Sequence, residues 1–326
     1  MSIGLTPPPE RDFPAVRLQQ RKQQLLARID ADRRPTRRPV RRRRPLALAG
    51  ALAAIAAAAI AAAIGLPFGG SGGASPAAAA VLRDAARTAA SQRPTAPPAA
   101  GQYVYTKSEG LFQNTAVTHG QTINFYEPVT REAWIGPDGS GRIRETDGAA
   151  RFVTSADRDA WLSAGKPALT GDRNSDETFR RGGLHYFDLS KLPTDPHALG
   201  SLVENRTIEG GPPGDAETFT ILGDLLRETY APPGVRSALY TIASELPGVQ
   251  LVGPTNDHLG RRGTAVAYVS QGLRHELIFD PRTAALLGEQ TTVSDPSQVR
   301  SLPAGAVVEW TSYLSSGVVD STTATP

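Results

Sequence analysis

Residues 249–293 read VQLVGPTNDHLGRRGTAVAYVSQGLRHELIFDPRTAALLGEQTTV, and their rhythm decides the fold. Four runs, 249–252, 264–269, 275–279 and 286–293, are rich in β-branched and aromatic residues. Short polar stretches separate them: 257–263 (DHLGRRG), Gln271-Gly272 and 280–283 (DPRT). Alternation with a period of two marks strands that bury one side. Strands joined by such short turns run antiparallel, because a parallel return needs a crossover of about a dozen residues or more. The stretch is an expected antiparallel meander.

Immediately upstream the period changes to that of a helix. Asp215 is placed to cap a helix over 216–230, with Phe219, Leu222 and Leu226 on one stripe. A second helix over 234–246 carries Val235, Leu239, Ile242 and Leu246 at helical spacing, and Pro247-Gly248 stops it. Thr194-Asp195-Pro196 opens a shorter helix with Leu199, Leu202 and Val203 inward. Before these, 103–107, 122–127, 131–135 and 142–146 read as strands, the last two flanking the turn Gly136-Pro137-Asp138-Gly139. Ser155 is placed to cap a short helix through Trp161 and Leu162, ended by Gly165, and 166–183 read as polar loop. Downstream, 306–314 add one strand and 321–326 read as a disordered tail. Strands, then helices, then strands predict an α+β domain over 102–320: an open, half-barrel-like antiparallel sheet with helices covering one face.

Toward the N-terminus, LALAGALAAIAAAAIAAAIGL runs from Leu46 to Leu66 without a charge or a hydrogen-bonding side chain. A helix of that length spans roughly 30 Å, the thickness of a bilayer's hydrocarbon core. Eight arginines lie in 33–44, directly before it. Basic residues beside a span stay on the cytoplasmic side, so the chain is expected to cross the membrane once, with 1–45 inside and the domain outside. Two other readings are weaker. A buried alanine-rich helix would carry a polar stripe, and a cleaved signal peptide has a shorter charged region and a shorter apolar run. Residues 67–101 are expected to form a glycine-rich tether and a juxtamembrane helix begun by Ser75 and Pro76.

Charge follows this division. Residues 1–45 hold thirteen Lys and Arg against four Asp and Glu, a net of +9, whereas the whole chain is +3, so the remainder is mildly acidic. The basic stub thus has a topogenic explanation, and nucleic acid is not expected as a partner. The chain has no cysteine, which excludes disulfides, thiolate metal sites and thiol nucleophiles. Its five histidines stand at 119, 185, 197, 258 and 275, with no pair at metal-ligand spacing. His275-Glu276 lacks the second histidine of a zincin motif, and both residues are expected at outward strand positions. Gly139-Ser140-Gly141 belongs to a turn rather than a nucleophile elbow. The charged residues of 257–262 and 280–282 read as hairpin turns. No catalytic residue, metal site or cofactor is assigned.

The segments GQYVYTKSEG at 101–110, LPTDPHAL at 192–199, GDLLRETYAPPGVRSALYTIASELPGV at 223–249, DHLGRRGTAVA at 257–267 and ELIFDPRTAALLGE at 276–289 stand out. Together they resemble a family of actinobacterial single-pass membrane proteins often encoded beside genes for extracytoplasmic-function sigma factors. The resemblance extends to the order of stub, span and outer domain. It implies no activity and no functional residues. Element order alone is also similar to the open half-barrel of lipoprotein carriers and periplasmic sigma-regulating proteins.

Three functions follow as expectations. The first is an envelope sensor or anti-sigma-like regulator. Its cytoplasmic contact, a sigma factor, would be made by Leu18, Leu25, Leu26 and Ile29, the apolar residues of the stub at helical spacing. The second is a membrane-anchored carrier or binder of an apolar ligand such as a lipid. The third is a cell-envelope enzyme without a recognisable motif.

Overall fold

The computed structural model describes residues 73–94, 96–118, 120–169, 174–184, 189–204, 214–227, 231–299 and 302–326. The expected span from Leu46 to Leu66, the stub residues Leu18, Leu25, Leu26 and Ile29, and His119 and His185 lie outside them. Among the described residues no helix is long and apolar enough to cross a membrane.

The domain is α+β, built on one open antiparallel sheet. Its strands are β1 (Tyr103–Thr118), β2 (Gln121–Ile135), β3 (Gly141–Asp147), β4 (Arg151–Phe152), β5 (Ser175–Phe179), β6 (Gln250–Asn256), β7 (Arg262–Ser270), β8 (Leu273–Phe279), β9 (Leu286–Val293) and β10 (Val307–Val319). Five described helices accompany it: α1 (Pro76–Ala90), α2 (Ser155–Ser163), α3 (Pro196–Glu204), α4 (Asp215–Arg227) and α5 (Pro233–Glu245). The sheet order is β5-β3-β2-β1-β10-β9-β8-β7-β6, with β4 beside β2. The meander β6–β9 forms as its turns predict. β10 then pairs with β9 on one side and with β1 on the other, joining the meander to the N-terminal strands.

The largest core lies between β6–β9 and the helices. Alternation puts Val266 of β7 and Leu277 and Phe279 of β8 on the helix side. Against them pack Phe219 and Leu222 of α4, Leu199 of α3, and Val235, Ala238, Leu239 and Ala243 of α5. α1 belongs to this core as well. Its residues Ala78, Leu82, Ala85, Ala86 and Ala89 recur at helical spacing and are all buried. Ser75 caps the helix by accepting from the Ala78 N–H, and its own N–H donates to the Val249 carbonyl at 2.8 Å, beside edge strand β6. The segment expected next to the membrane is therefore fastened to the domain at its first turn.

Other expectations need adjustment. Residues 166–183, read as loop, contain β5, which pairs with β3 although SDETF shows little alternation. The cap of α2 is Thr154, one residue early: its hydroxyl accepts from the Asp157 N–H, and the Asp157 carboxylate accepts from the Thr154 N–H. Leu202 is 43% exposed, because α3 turns only Leu199 and Val203 into the core. Ile242 is half-buried at the core's edge. Residues 321–326 are not loose but pack against the sheet, where the Trp134 Nε1–H donates to the Ala324 carbonyl at 2.7 Å.

Candidate functional site

Two clefts and one turn gather the domain's polar chemistry. The first cleft, of about 70 Å³, opens between α4 and strands β8–β10. Gly223 lets the helix close on the sheet: a Cβ there would sit 3.2 Å from Leu277 Cδ2. Arg227, on the last turn of α4, pairs with Asp224 and reaches Glu289 Oε2 at 3.3 Å. The Tyr313 hydroxyl donates to the other oxygen of Glu289. Nearby, the Thr291 hydroxyl donates to Glu309 Oε1 at 3.0 Å, and His275 Nδ1 lies 3.1 Å from Thr291 Oγ1. A volume of that size holds a few water molecules at about 10–15 Å³ each, or one small polar solute.

The second cleft is larger, about 350 Å³, and lies among α3, α4 and α5. Val203, Ile242 and Leu246 give it an apolar wall, while Asp215, Glu217 and Glu245 give it a negative one.

The turn between β6 and β7 is the DHLGRRG stretch. The Asp257 carboxylate accepts from the backbone N–H groups of Leu259 and Arg261, and the Arg261 guanidinium folds back to pair with it. That guanidinium also donates to the Leu287 carbonyl at 2.7 Å and the Tyr313 carbonyl at 2.6 Å. The turn is thereby laid over the sheet face away from the helices. His258 stacks on Trp310 with ring centroids 4.5 Å apart, and its Nε2 lies 2.9 Å from Gln290 Oε1. Burial pushes the pKa of His258 below the ordinary histidine value, against the opposing pull of Gln290 and the nearby carboxylates. The charges of Asp257 and Arg261 thus hold the hairpin turn together. Asp280 likewise accepts from the Arg282 N–H at 2.8 Å in the turn between β8 and β9.

His275 and Glu276 do not both face outward. His275 shares the helix side with Leu277, whereas Glu276 is 5% exposed on the opposite side, paired with Arg274 and accepting from Gln290. Adjacent strand residues must point to opposite faces. Among the described residues, no three His, Asp or Glu converge as a metal ion would require.

A further cluster was not anticipated. On the face away from the helices, register brings Tyr105 opposite Trp134, and Trp134 opposite Arg142. The Tyr105 hydroxyl donates to Glu132 Oε1 at 2.8 Å, and Arg144 pairs with the same carboxylate. Arg142 pairs with Asp176 of β5. Both guanidiniums lie over the Trp134 ring, at 5.5 and 5.8 Å from its centroid. Burial, reinforced by the bond to Glu132 and its charge, pushes the Tyr105 hydroxyl up to about 12. The sequence signal was the spacing by two in Tyr103, Tyr105 and Lys107, in Glu132 and Trp134, and in Arg142 and Arg144. Only strand register shows that these pairs meet.

No protein-family model matches the chain. No curated protein matches it either. Among solved structures, one described as the complex structure of Pseudomonas aeruginosa MucA/MucB is similar at 12% identity, with a TM-score of 0.23. The match covers 75% of this chain and 58% of the other, so this chain spans less than two thirds of that one's length. Overlap that slight does not define a common fold.

Proposed function

We propose that the chain is a single-pass envelope protein whose outer α+β domain works as a sensor or anti-sigma-like regulator. One observation carries this reading. The first described helix after the apolar run, α1, is built into the main core beside α5 and β6. A rearrangement of that core would reach the span through only the few residues between Leu66 and Ser75. The arginine run supports a cytoplasmic N-terminus. The resemblance to single-pass proteins encoded beside sigma factors supports a cytoplasmic partner of that class.

The stub would make the contact through Leu18, Leu25, Leu26 and Ile29. Burying one Leu contributes about 1.5–3 kcal/mol, so changing Leu25 and Leu26 together to Ser removes enough to abolish a micromolar interaction. Expression of the neighbouring sigma factor's target genes should then shift as far as in a deletion strain. The arginines remain, so insertion should be normal. An unchanged transcript level from a normally inserted variant would exclude the regulator.

The apolar wall of the 350 Å³ cleft favours a second reading, an anchored binder of a partly apolar ligand. Mass spectrometry of solvent extracts from purified protein tests it: a stoichiometric lipid or small amphiphile is expected, and an empty extract argues against it.

A further inference from the structure

Residues 321–326 lie across the ends of β1, β2 and β10, on the sheet face away from the helices. The β10 ladder to β1 ends at Val319, so the segment beyond it is gripped by side chains instead. The Trp134 indole N–H donates to the Ala324 carbonyl at 2.7 Å, and Arg142 Nη1 donates to the Thr322 carbonyl at 3.3 Å. Ala324 packs on the Tyr105, Trp134 and Val319 cluster. Pro326 occupies the space that Gly317 leaves open: a Cβ at 317 would sit 2.8 Å from Pro326 Cγ. The segment itself forms a turn, with the Ala324 N–H donating to the Ser321 carbonyl at 3.3 Å. It stays largely in contact with water, as Thr323, Thr325 and Pro326 are exposed.

What lies beneath has the composition of an interaction hot spot. Trp, Tyr and Arg dominate such sites. Here Trp134 and Tyr105 are each 1% exposed under the segment, with Arg142 and Arg144 beside them. The charges are matched, Arg142 to Asp176 and Arg144 to Glu132, so the surface does not select a charged ligand. Its two free-reaching donors instead read backbone carbonyls two residues apart, and its glycine seats a proline ring.

We infer that this is a peptide-binding cleft which residues 321–326 occupy in cis. Its ligand in trans is a segment of a partner protein with the same chemistry: a turn of small Ser, Thr and Ala residues followed by proline. The cis segment acts as a strap that the partner must displace. Matched contacts of two side-chain donors and one proline seat are few enough for the strap to lift without unfolding the sheet.

The test uses a fluorescein-labelled peptide DSTTATP, the sequence of 320–326, read by fluorescence anisotropy. The chain shortened by residues 321–326 should bind it, and the full chain should bind at least about tenfold more weakly, because the tethered segment competes at high effective concentration. In the shortened chain, Trp134→Phe keeps a smaller aromatic ring but loses the N–H donor, and should weaken binding about tenfold. A shortened chain that melts cooperatively yet ignores the peptide at millimolar concentration overturns the inference. If shortened and full chains instead form a stable mixed dimer, the occupant is a second copy and the partner assignment fails. Should the shortened chain not fold, hydrogen exchange in the full chain decides. The amides of 322–325 and the Trp134 indole should exchange at least about a hundredfold faster than the paired amides of β1 and β2. Exchange of both only through global unfolding overturns the strap.

Discussion

Strands β6–β9 lie under α1, α3, α4 and α5, and their helix side is packed chiefly by Leu, Val, Phe and Ala, with the Arg227–Glu289 cleft at its β9 end. Strands β1–β3 and β5 belong to the same sheet, yet on the face away from the helices they carry Tyr105, Trp134, Glu132, Arg142 and Arg144 under a short strap. One region is held by contiguous apolar burial, the other by paired charges around two aromatic rings. Apolar burial is non-directional and tolerates a helix layer laid over it. Charge-assisted hydrogen bonds are directional and depend on each partner being present. The helix-covered half fastens α1, the helix that follows the apolar run, and the strap-covered half holds Tyr105 and Trp134 beneath residues 321–326. β10 links them by pairing with both β9 and β1.

Substitutions in the two halves should differ in size and in pH dependence. Leu239 of α5 is fully buried in the core between helices and sheet, so Leu239→Ala should lower stability by about 2–5 kcal/mol, whereas Ser237→Ala on the same helix should cost less than about 0.5. Equal urea midpoints for the two would show that the helix layer is not the main core. In the other half, Glu132→Gln keeps an acceptor for Tyr105 but removes the charge facing Arg144, at a cost of about 1–2 kcal/mol. Burial pushes the Glu132 carboxyl up, but the bonds from Arg144 and Tyr105 outweigh it and hold it below the ordinary 4.5. Its stabilising contribution is therefore complete above the unfolded value and is lost as pH falls through the lower folded value. The natural chain should lose stability more steeply than the Gln variant as pH falls below about 4.5. Parallel pH profiles would remove Glu132 from the account. The smallest effect concerns His258, whose ring should titrate by NMR below a free histidine's value of about 6.5. Trp310→Ala removes the stacked ring, so the midpoint should rise; an unmoved midpoint would mean the stack does not bury it.

How much of this was readable beforehand follows from what each signal encodes. The meander was legible because 271–272 and 280–283 are too short for anything but a reversal. α4 and α5 were legible from Phe219, Leu222, Val235 and Leu239. The docking of α1 was not, because its buried face is mostly alanine and gives little hydropathy contrast. β5 was hidden because SDETF is an edge strand held by pairing to β3 and by Arg142–Asp176. The Trp134 cluster was hidden for a third reason. Its members come from β1, β2, β3 and β5, and only register sets them side by side. The tail was misread because Thr, Ala and Pro look like loose chain until Trp134 and Gly317 supply the seat.

On the proposed topology both halves of the sheet lie outside the membrane and the stub lies inside. The chain has no native cysteine, so single cysteines report side without background. Val117 is 56% exposed near the tip of the β1–β2 hairpin, and Gln20 lies in the stub. With a membrane-impermeant maleimide, Val117→Cys should label in intact cells, and Gln20→Cys only after the membrane is permeabilised. Labelling of Gln20→Cys in intact cells, or protection of Val117→Cys there, would contradict it.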